Sequence, residues 1–210
     1  RLNDERIMQY GQDSRVLFDG DDMLTADAAM LRRTRGAAVS MIFQDPMSVL
    51  NPVFRVGRQV LDVLRTHSTF TVAEARDVVL RSFDEVGIRD AERVYNQYPH
   101  ELSGGMRQRV MIAMAIAARP RLLIADEATS ALDVTVQAAV LDTLDRLAEE
   151  RGMAVLMITH DMGVVASFCD VVTVMYRGSV VEHGPTAEIL TDPQHEYTRG
   201  LLAAVPRLHA

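Results

Sequence analysis

Short apolar runs alternate along this chain with stretches in which apolar residues recur every three or four positions. Val39 to Phe43, Leu122 to Ala125 and Met153 to Thr159 are runs of strand length. Leu122 to Ala125 has no polar interruption, which predicts a strand buried on both faces of a parallel sheet, and Met153 to Thr159 predicts another buried strand. Helical spacing fills the intervals. Val56 to His67 and Thr71 to Val86 each predict a helix, the second opening on Thr71 with Glu74 three residues on, a capping-box pair, and stopping at Gly87. From Gly104 the positions Val110, Met111, Ala113, Met114 and Ala117 are apolar while Arg107 and Arg109 are polar, until Arg119-Pro120 ends the pattern. Val134 to Arg151 places Val136, Val140, Leu144 and Leu147 on one face.

The margins are weaker in pattern. Arg1 to Arg15 is polar, with a turn suggested at Gly11 and Asp13. Val16-Leu17-Phe18 predicts a short strand closed by Asp19-Gly20, and Thr25 to Arg35 a helix with Thr25 as its cap. Near the other end, Val171 to Tyr176 and Gly178 to Glu182 predict a β-hairpin across Arg177-Gly178. Strands alternating with helices indicate an α/β fold.

Composition narrows the function. With 210 residues and 48% apolar content, the chain is of single-domain size, with room for a small insert. No run of about 18 apolar residues could span a membrane as a helix. The net charge of −7 argues against a general nucleic-acid surface. The single cysteine, Cys169, has no partner for an internal disulfide, and neither it nor the histidines other than His160 show metal-ligand spacing. All 22 basic residues are arginine. A glycine-rich P-loop needs a lysine to reach the β- and γ-phosphates, so an intact one is excluded from these residues.

The chemistry-bearing residues fall at the ends of predicted elements. Ser103, Gly104 and Gly105 precede a helix, where free backbone N–H groups make an anion site. Asp126 and Glu127 follow Leu122 to Ala125, at the strand end where open α/β sheets place ligands. Neighbouring strand residues point to opposite faces, so two carboxylates there can take different roles. Gln44 ends one strand beside Pro46, and His160-Asp161 ends another. Taken singly, each also fits a plain reading: a surface Gln before a turn, a solvated acidic pair, a surface or core histidine.

Order and context decide against the plain readings. The run from Pro99 to Asp133, PHELSGGMRQRVMIAMAIAARPRLLIADEATSALD, resembles the signature and Walker B segments of ATP-binding-cassette (ABC) ATPases. Phe43-Gln44-Asp45-Pro46 resembles the family's Q-loop, Asp133 its D-loop, and Thr159-His160-Asp161 its switch histidine. DPMSVLNPVFRVGRQV, from Asp45, and DPQHEYTRGLLAAVP, from Asp192, resemble the dipeptide/oligopeptide and nickel importer branch. The sequence departs from the usual family wording at Ser48, Val49 and Glu196, carries the variant Met106 in the signature, and has Ala128 where a proline usually follows the glutamate.

The resemblance implies a P-loop ATPase core, a mostly parallel sheet flanked by helices, with an inserted α-helical subdomain and an incomplete N-terminal part. Residues 1–45 and 106–185 would form the core, 46–105 the helical subdomain with the signature, and 186–210 a C-terminal extension. It implies ATP and Mg²⁺ as cofactors. Glu127 would be the general base and His160 the γ-phosphate switch. Asp126 and Gln44 would hold Mg²⁺ largely through water, while Ser103, Gly104, Gly105 and Asp133 would complete a nucleotide site shared between two chains. Implied partners are a second ATPase subunit, membrane-embedded permease subunits and, indirectly, an extracytoplasmic solute-binding protein, at the cytoplasmic face of the membrane. The expected chain is a fragment of such an ATPase, and a natural truncation is the alternative. A non-catalytic subunit donating its signature to a partner's ATP also stays open. DNA-repair and chromosome-organising relatives fit poorly, because the interval between Gln44 and Ser103 holds neither cysteines nor sustained heptads.

Overall fold

Parallel pairing of the three short apolar runs sets the architecture. In the computed structural model, residues 11, 13–45, 49–129 and 133–204 are described. The polar opening up to Tyr10, the start of the helical interval at Pro46–Ser48, the Ser130–Leu132 stretch before Asp133 and the tail from Val205 lie outside them. Strands β3 (Val39–Ile42), β4 (Leu122–Asp126) and β5 (Ala154–Ile158) form a parallel sheet in the order β3-β4-β5. Ile42 stands opposite Ala125, and Asp126 opposite Ile158. A two-residue ribbon, β1 (Leu17–Phe18) with β2 (Asp21–Asp22), precedes it, and the hairpin β6 (Val171–Tyr176) and β7 (Ser179–Pro185) follows.

Two expectations about burial need correction. Along β4, Leu123 and Ala125 are buried while Leu122 and Ile124 are only half-buried, and β5 alternates between half-buried and exposed positions. Successive strand residues face opposite sides, so one face of the sheet joins the core and the other is partly open. Leu156 and Ile158 on that open face are 51% and 46% exposed. The helix expected from Thr25 begins later, as α1 (Ala28–Thr34), and Asp27 is its cap, accepting from the Met30 N–H at 2.7 Å. The Thr25 hydroxyl instead bonds back to the Asp22 carbonyl, closing the turn after β2.

The helical interval between β3 and β4 follows its pattern closely. It holds α2 (Val56–His67), α3 (Val72–Glu85), the short α4 (Ala91–Tyr95) and a 3₁₀ turn at Pro99–Glu101. Thr71 caps α3 as expected: its hydroxyl accepts from the Glu74 N–H at 3.3 Å and the Glu74 carboxylate accepts from the Thr71 N–H at 2.8 Å. Gly87, at φ +77, then takes the left-handed conformation that ends the helix.

Next, α5 (Gly104–Ile116) packs against α2, α3 and β3, and its Val110, Met111, Ile112 and Ala113 lie in one buried cluster with Phe83, Val79, Leu123 and Leu144. Helix α6 (Val134–Arg151) returns from β4 to β5 with Val140, Leu144 and Leu147 buried, and Gly152 at φ +60 closes it. Arg151 ties this end to the helical layer, donating to the Ile116 carbonyl at 2.9 Å and pairing with Glu85.

After β5 come α7 (Met162–Phe168), the hairpin, α8 (Thr186–Thr191) and α9 (Glu196–Ala204). The hairpin turn is the expected one: Arg177 and Gly178 both have positive φ, which matches the right-handed twist of the strands they join. Glu182 on β7 fastens the start of α9 by accepting from the Gln194 and His195 N–H groups at 2.7 and 3.2 Å. Tyr197 packs on Tyr176, ring centres 4.2 Å apart.

Two outcomes follow from this packing. An added Cβ at Gly57 would sit 2.2 Å from the Tyr95 ring, so Gly57→Ala should destabilise the chain by about 1–3 kcal/mol in denaturant titration. Combining it with Tyr95→Leu should recover most of that loss. The Glu182 carboxyl is held below its ordinary 4.5, first by the neighbouring Thr198 hydroxyl and then by the Gln194 N–H. A lowered folded value means that the stabilisation is present above the ordinary carboxyl range and is lost as pH falls through the lowered value. The melting-temperature gap between the parent and Glu182→Gln should therefore be open at pH 7 and close on titration below the ordinary glutamate range.

Candidate nucleotide site

Three strand ends meet at one edge of the sheet, and each delivers a polar side chain there. Gln44 follows β3, Glu127 follows β4 and His160 follows β5. The Gln44 amide donates to Oε2 of Glu127 at 2.6 Å, and Nδ1 of His160 lies 3.0 Å from Oε1. An ionised carboxylate only accepts, so Nδ1 of His160 carries the proton in this contact and Nε2 is left as the other ring nitrogen. The Glu127 side chain is the sheltered member, 28% exposed against 75% for His160. Each carboxylate oxygen is thus held by a different neighbour, which fixes the plane of the group.

The backbone at Glu127 is held as firmly. Its φ of +46 is left-handed, a conformation that costs a non-glycine residue about 1–3 kcal/mol. Its N–H donates to the Ile158 carbonyl at 2.9 Å, so the last rung between β4 and β5 is made from outside the strand. Ala128 is buried, and its carbonyl accepts from the amide of Gln108, itself buried on α5. A proline at position 128 would bias residue 127 toward extended backbone. With alanine there, the left-handed turn is open to Glu127 and the Gln108 contact anchors the segment beyond it. Helix-face spacing carried the signal for Gln108: it lies three and four residues before the buried Met111 and Ile112.

The other expected residues lie on neighbouring elements. Asp126 is the last residue of β4, half-buried. Ser103 caps α5, its hydroxyl accepting from the Met106 N–H at 3.3 Å, with Gly104 and Gly105 in the first turn. Asp133 caps α6 by accepting from the Val136 N–H at 3.0 Å. These two helix starts are adjacent, since a Cβ at Gly105 would stand 3.2 Å from a Val136 methyl group. The hydrogen bonds therefore gather Gln44, Glu127 and His160 into one cluster, while Ser103 and Asp133 serve their own helix caps. Among the described residues no group of three or more His, Cys, Asp or Glu is placed to hold a metal ion. Burial raises the Cys169 thiol above its ordinary value, as for a structural cysteine. A cleft of about 390 Å³ between α2, α3 and the end of α5, lined by His67, Arg81, Glu85 and Arg151 among others, is separate from this edge.

The family model for ABC transporters matches residues 6–130, and that for the C-terminal region of oligopeptide/dipeptide transporters matches residues 181–210. The chain belongs to the ABC transporter family. It is 54% identical over 193 residues to the peptidoglycan transport ATP-binding protein YejF of Agrobacterium fabrum, covering 92% of this chain and 35% of that one. A putative peptide import ATP-binding protein of Brucella abortus is 48% identical, with 99% of this chain and 62% of the relative covered. The glutathione import ATP-binding protein GsiA of Escherichia coli is 54% identical over 88% of this chain and 30% of its own length. The chain thus spans between about a third and three fifths of these relatives. Among solved structures, a dimeric ATP-binding cassette in a post-hydrolysis state, bound to ADP and Pi, superposes with a TM-score of 0.74 at 28% identity, covering 83% of this chain and 74% of that one. The α/β fold is that of the family's ATPase cassettes.

Filling the place of Gln108 with a hydrocarbon tests the anchor at Ala128. Gln108→Leu leaves a buried carbonyl without its donor and should cost about 1–3 kcal/mol in chemical denaturation.

Proposed function

We propose that this chain forms part of the ATP-binding, ATP-hydrolysing subunit of an importer for peptides. The observation that carries the reading is the Gln44–Glu127–His160 cluster at the carboxyl edge of the parallel sheet. Hydrolysis of a phosphoanhydride needs an oriented water, a base for its proton and neutralised phosphate charge. Glu127, with its plane fixed from two sides, is the base, and His160, when both ring nitrogens carry protons, donates its Nδ1–H to that carboxylate and its Nε2–H to the γ-phosphate. Gln44 steers the carboxylate through its amide nitrogen, which leaves its carbonyl oxygen as a hard donor. Asp126 and that carbonyl suit Mg²⁺, which binds few protein oxygens and keeps much of its water. When bound, the ion neutralises the phosphate oxygens.

Ser103 to Gly105 and Asp133 are assigned to the far side of a nucleotide held by a second cassette. The dimeric, ADP-bound relative supports that arrangement. Binding of ATP then draws two such chains together and hydrolysis releases them, a shift of population between closed and open pairs. Residues 1–45 and 106–185 are read as the ATPase core, 46–105 as the helical subdomain and 186–210 as the extension. The helical subdomain passes the movement to permease subunits fed by a solute-binding protein. No helix among the described residues is long and apolar enough to cross a membrane, and we place the chain peripherally at the cytoplasmic face. Relatives whose names specify import of peptides and glutathione support the solute class.

In a second reading the chain lends its signature to a partner's ATP and hydrolyses none of its own; the 210 residues themselves hold no lysine to reach the phosphates. One pair of substitutions in the assembled transporter separates them. Glu127→Gln should leave ATP binding intact and lower hydrolysis by about 100-fold or more, since it removes the base without changing shape. If Glu127→Gln is silent while Ser103→Arg abolishes turnover, the second reading holds.

A further inference from the structure

Gln137, in the first turns of α6, joins two segments that the catalytic reading leaves separate. Its amide nitrogen lies 3.2 Å from the Thr129 hydroxyl and 3.2 Å from Oδ2 of Asp161. A carboxamide NH₂ has two hydrogens, so one group can serve both acceptors at once. Thr129 is buried, two residues beyond Glu127. Asp161 directly follows His160, and its other oxygen accepts from the Gly163 N–H at 2.8 Å, capping α7. The Asp161 N–H in turn donates to the Thr159 hydroxyl at 3.0 Å, so the residues on both sides of His160 are held.

We propose that Gln137 is a positioning residue for ATP hydrolysis, setting the separation between Glu127 and His160 by tying together the backbone segments that carry them. The proposal rests on the reading of Glu127 and His160 given above. Glu127 and His160 share one direct hydrogen bond, and the His160 side chain is largely solvent-exposed. That bond alone leaves the ring free to swing about the carboxylate. The Gln137 bridge closes a second path between the same two segments, through Thr129 on one side and Asp161 on the other, and the two paths together define a distance. Gln137 also stands one turn from Asp133, its N–H donating to the Asp133 carbonyl at 2.8 Å. Movement of the start of α6, where the second cassette is assigned to approach, therefore reaches Glu127 and His160 together.

The test uses the assembled transporter ATPase and two variants. Gln137→Leu removes both donors at similar volume. Gln137→Glu replaces the donor facing the Asp161 carboxylate with a like charge. Gln137→Leu should lower kcat about tenfold, the scale of losing a hydrogen bond to a charged group, with KM for ATP within about twofold. Gln137→Glu should lower it further. Amide exchange at Glu127 and Gly163 should quicken in both variants, while exchange in the α2–α3 layer stays at the parental rate. Parental kcat in both variants overturns the proposal, as does a slowed variant whose exchange is faster throughout, which marks general destabilisation. An assembly that hydrolyses no ATP even with Gln137 present would sink the hydrolytic reading instead. In that case the exchange rates alone decide the bridge, and unchanged rates at Gly163 refute it.

Discussion

Parallel pairing imposes one condition on which the rest of this structure depends: every strand must end at the same edge. Two parallel neighbours cannot be joined by a tight turn, so each link must cross the sheet. From β3 to β4 the crossover holds the α2–α4 layer and the signature helix α5; from β4 to β5 it is α6. The carboxyl ends of three strands thereby gather Gln44, Glu127 and His160, which lie far apart in sequence. Because both crossover helices start close to that edge, their caps, Ser103 and Asp133, flank it. The same geometry that buries Leu123 and Ala125 assembles the site.

Local chemistry explains what could be read from the sequence. The capping box at Thr71 and Glu74, the helix from Val134 to Arg151 and the turn at Arg177-Gly178 each depend on residues within a few positions of one another, and all three stand as expected. The places of Gln44, Asp126, Glu127 and His160 at strand ends were legible because apolar runs mark those ends and the motifs follow them. Burial of β4 and β5 was misjudged for the opposite reason. Apolar character says that a strand can be covered on both faces, while coverage depends on which elements lie above it.

What escaped reading was the support around Glu127. Its left-handed backbone leaves no trace in composition, since glutamate is not a residue that signals positive φ. Gln108 and Gln137 resemble solvent-facing helix residues, and only their spacing from Met111 and Ile112, and from Val140 and Leu141, sets them on inward faces. A polar side chain at an apolar-face position is the general form of that signal. Both amides bind the segment just beyond Glu127, Gln108 at the Ala128 carbonyl and Gln137 at the Thr129 hydroxyl, one from each crossover helix.

The half-open face of the sheet also has a thermodynamic meaning. Heat capacity and denaturant sensitivity of unfolding scale with the apolar surface newly exposed. Leu156 and Ile158 already meet water in the folded chain, so they add little to either quantity. Any layer that settles on that face, whether a further part of the polypeptide or another molecule, will make the unfolding transition sharper in denaturant and the stability curve more strongly bowed in temperature. The sheet is then a gauge of its own coverage, readable in solution from the steepness of unfolding.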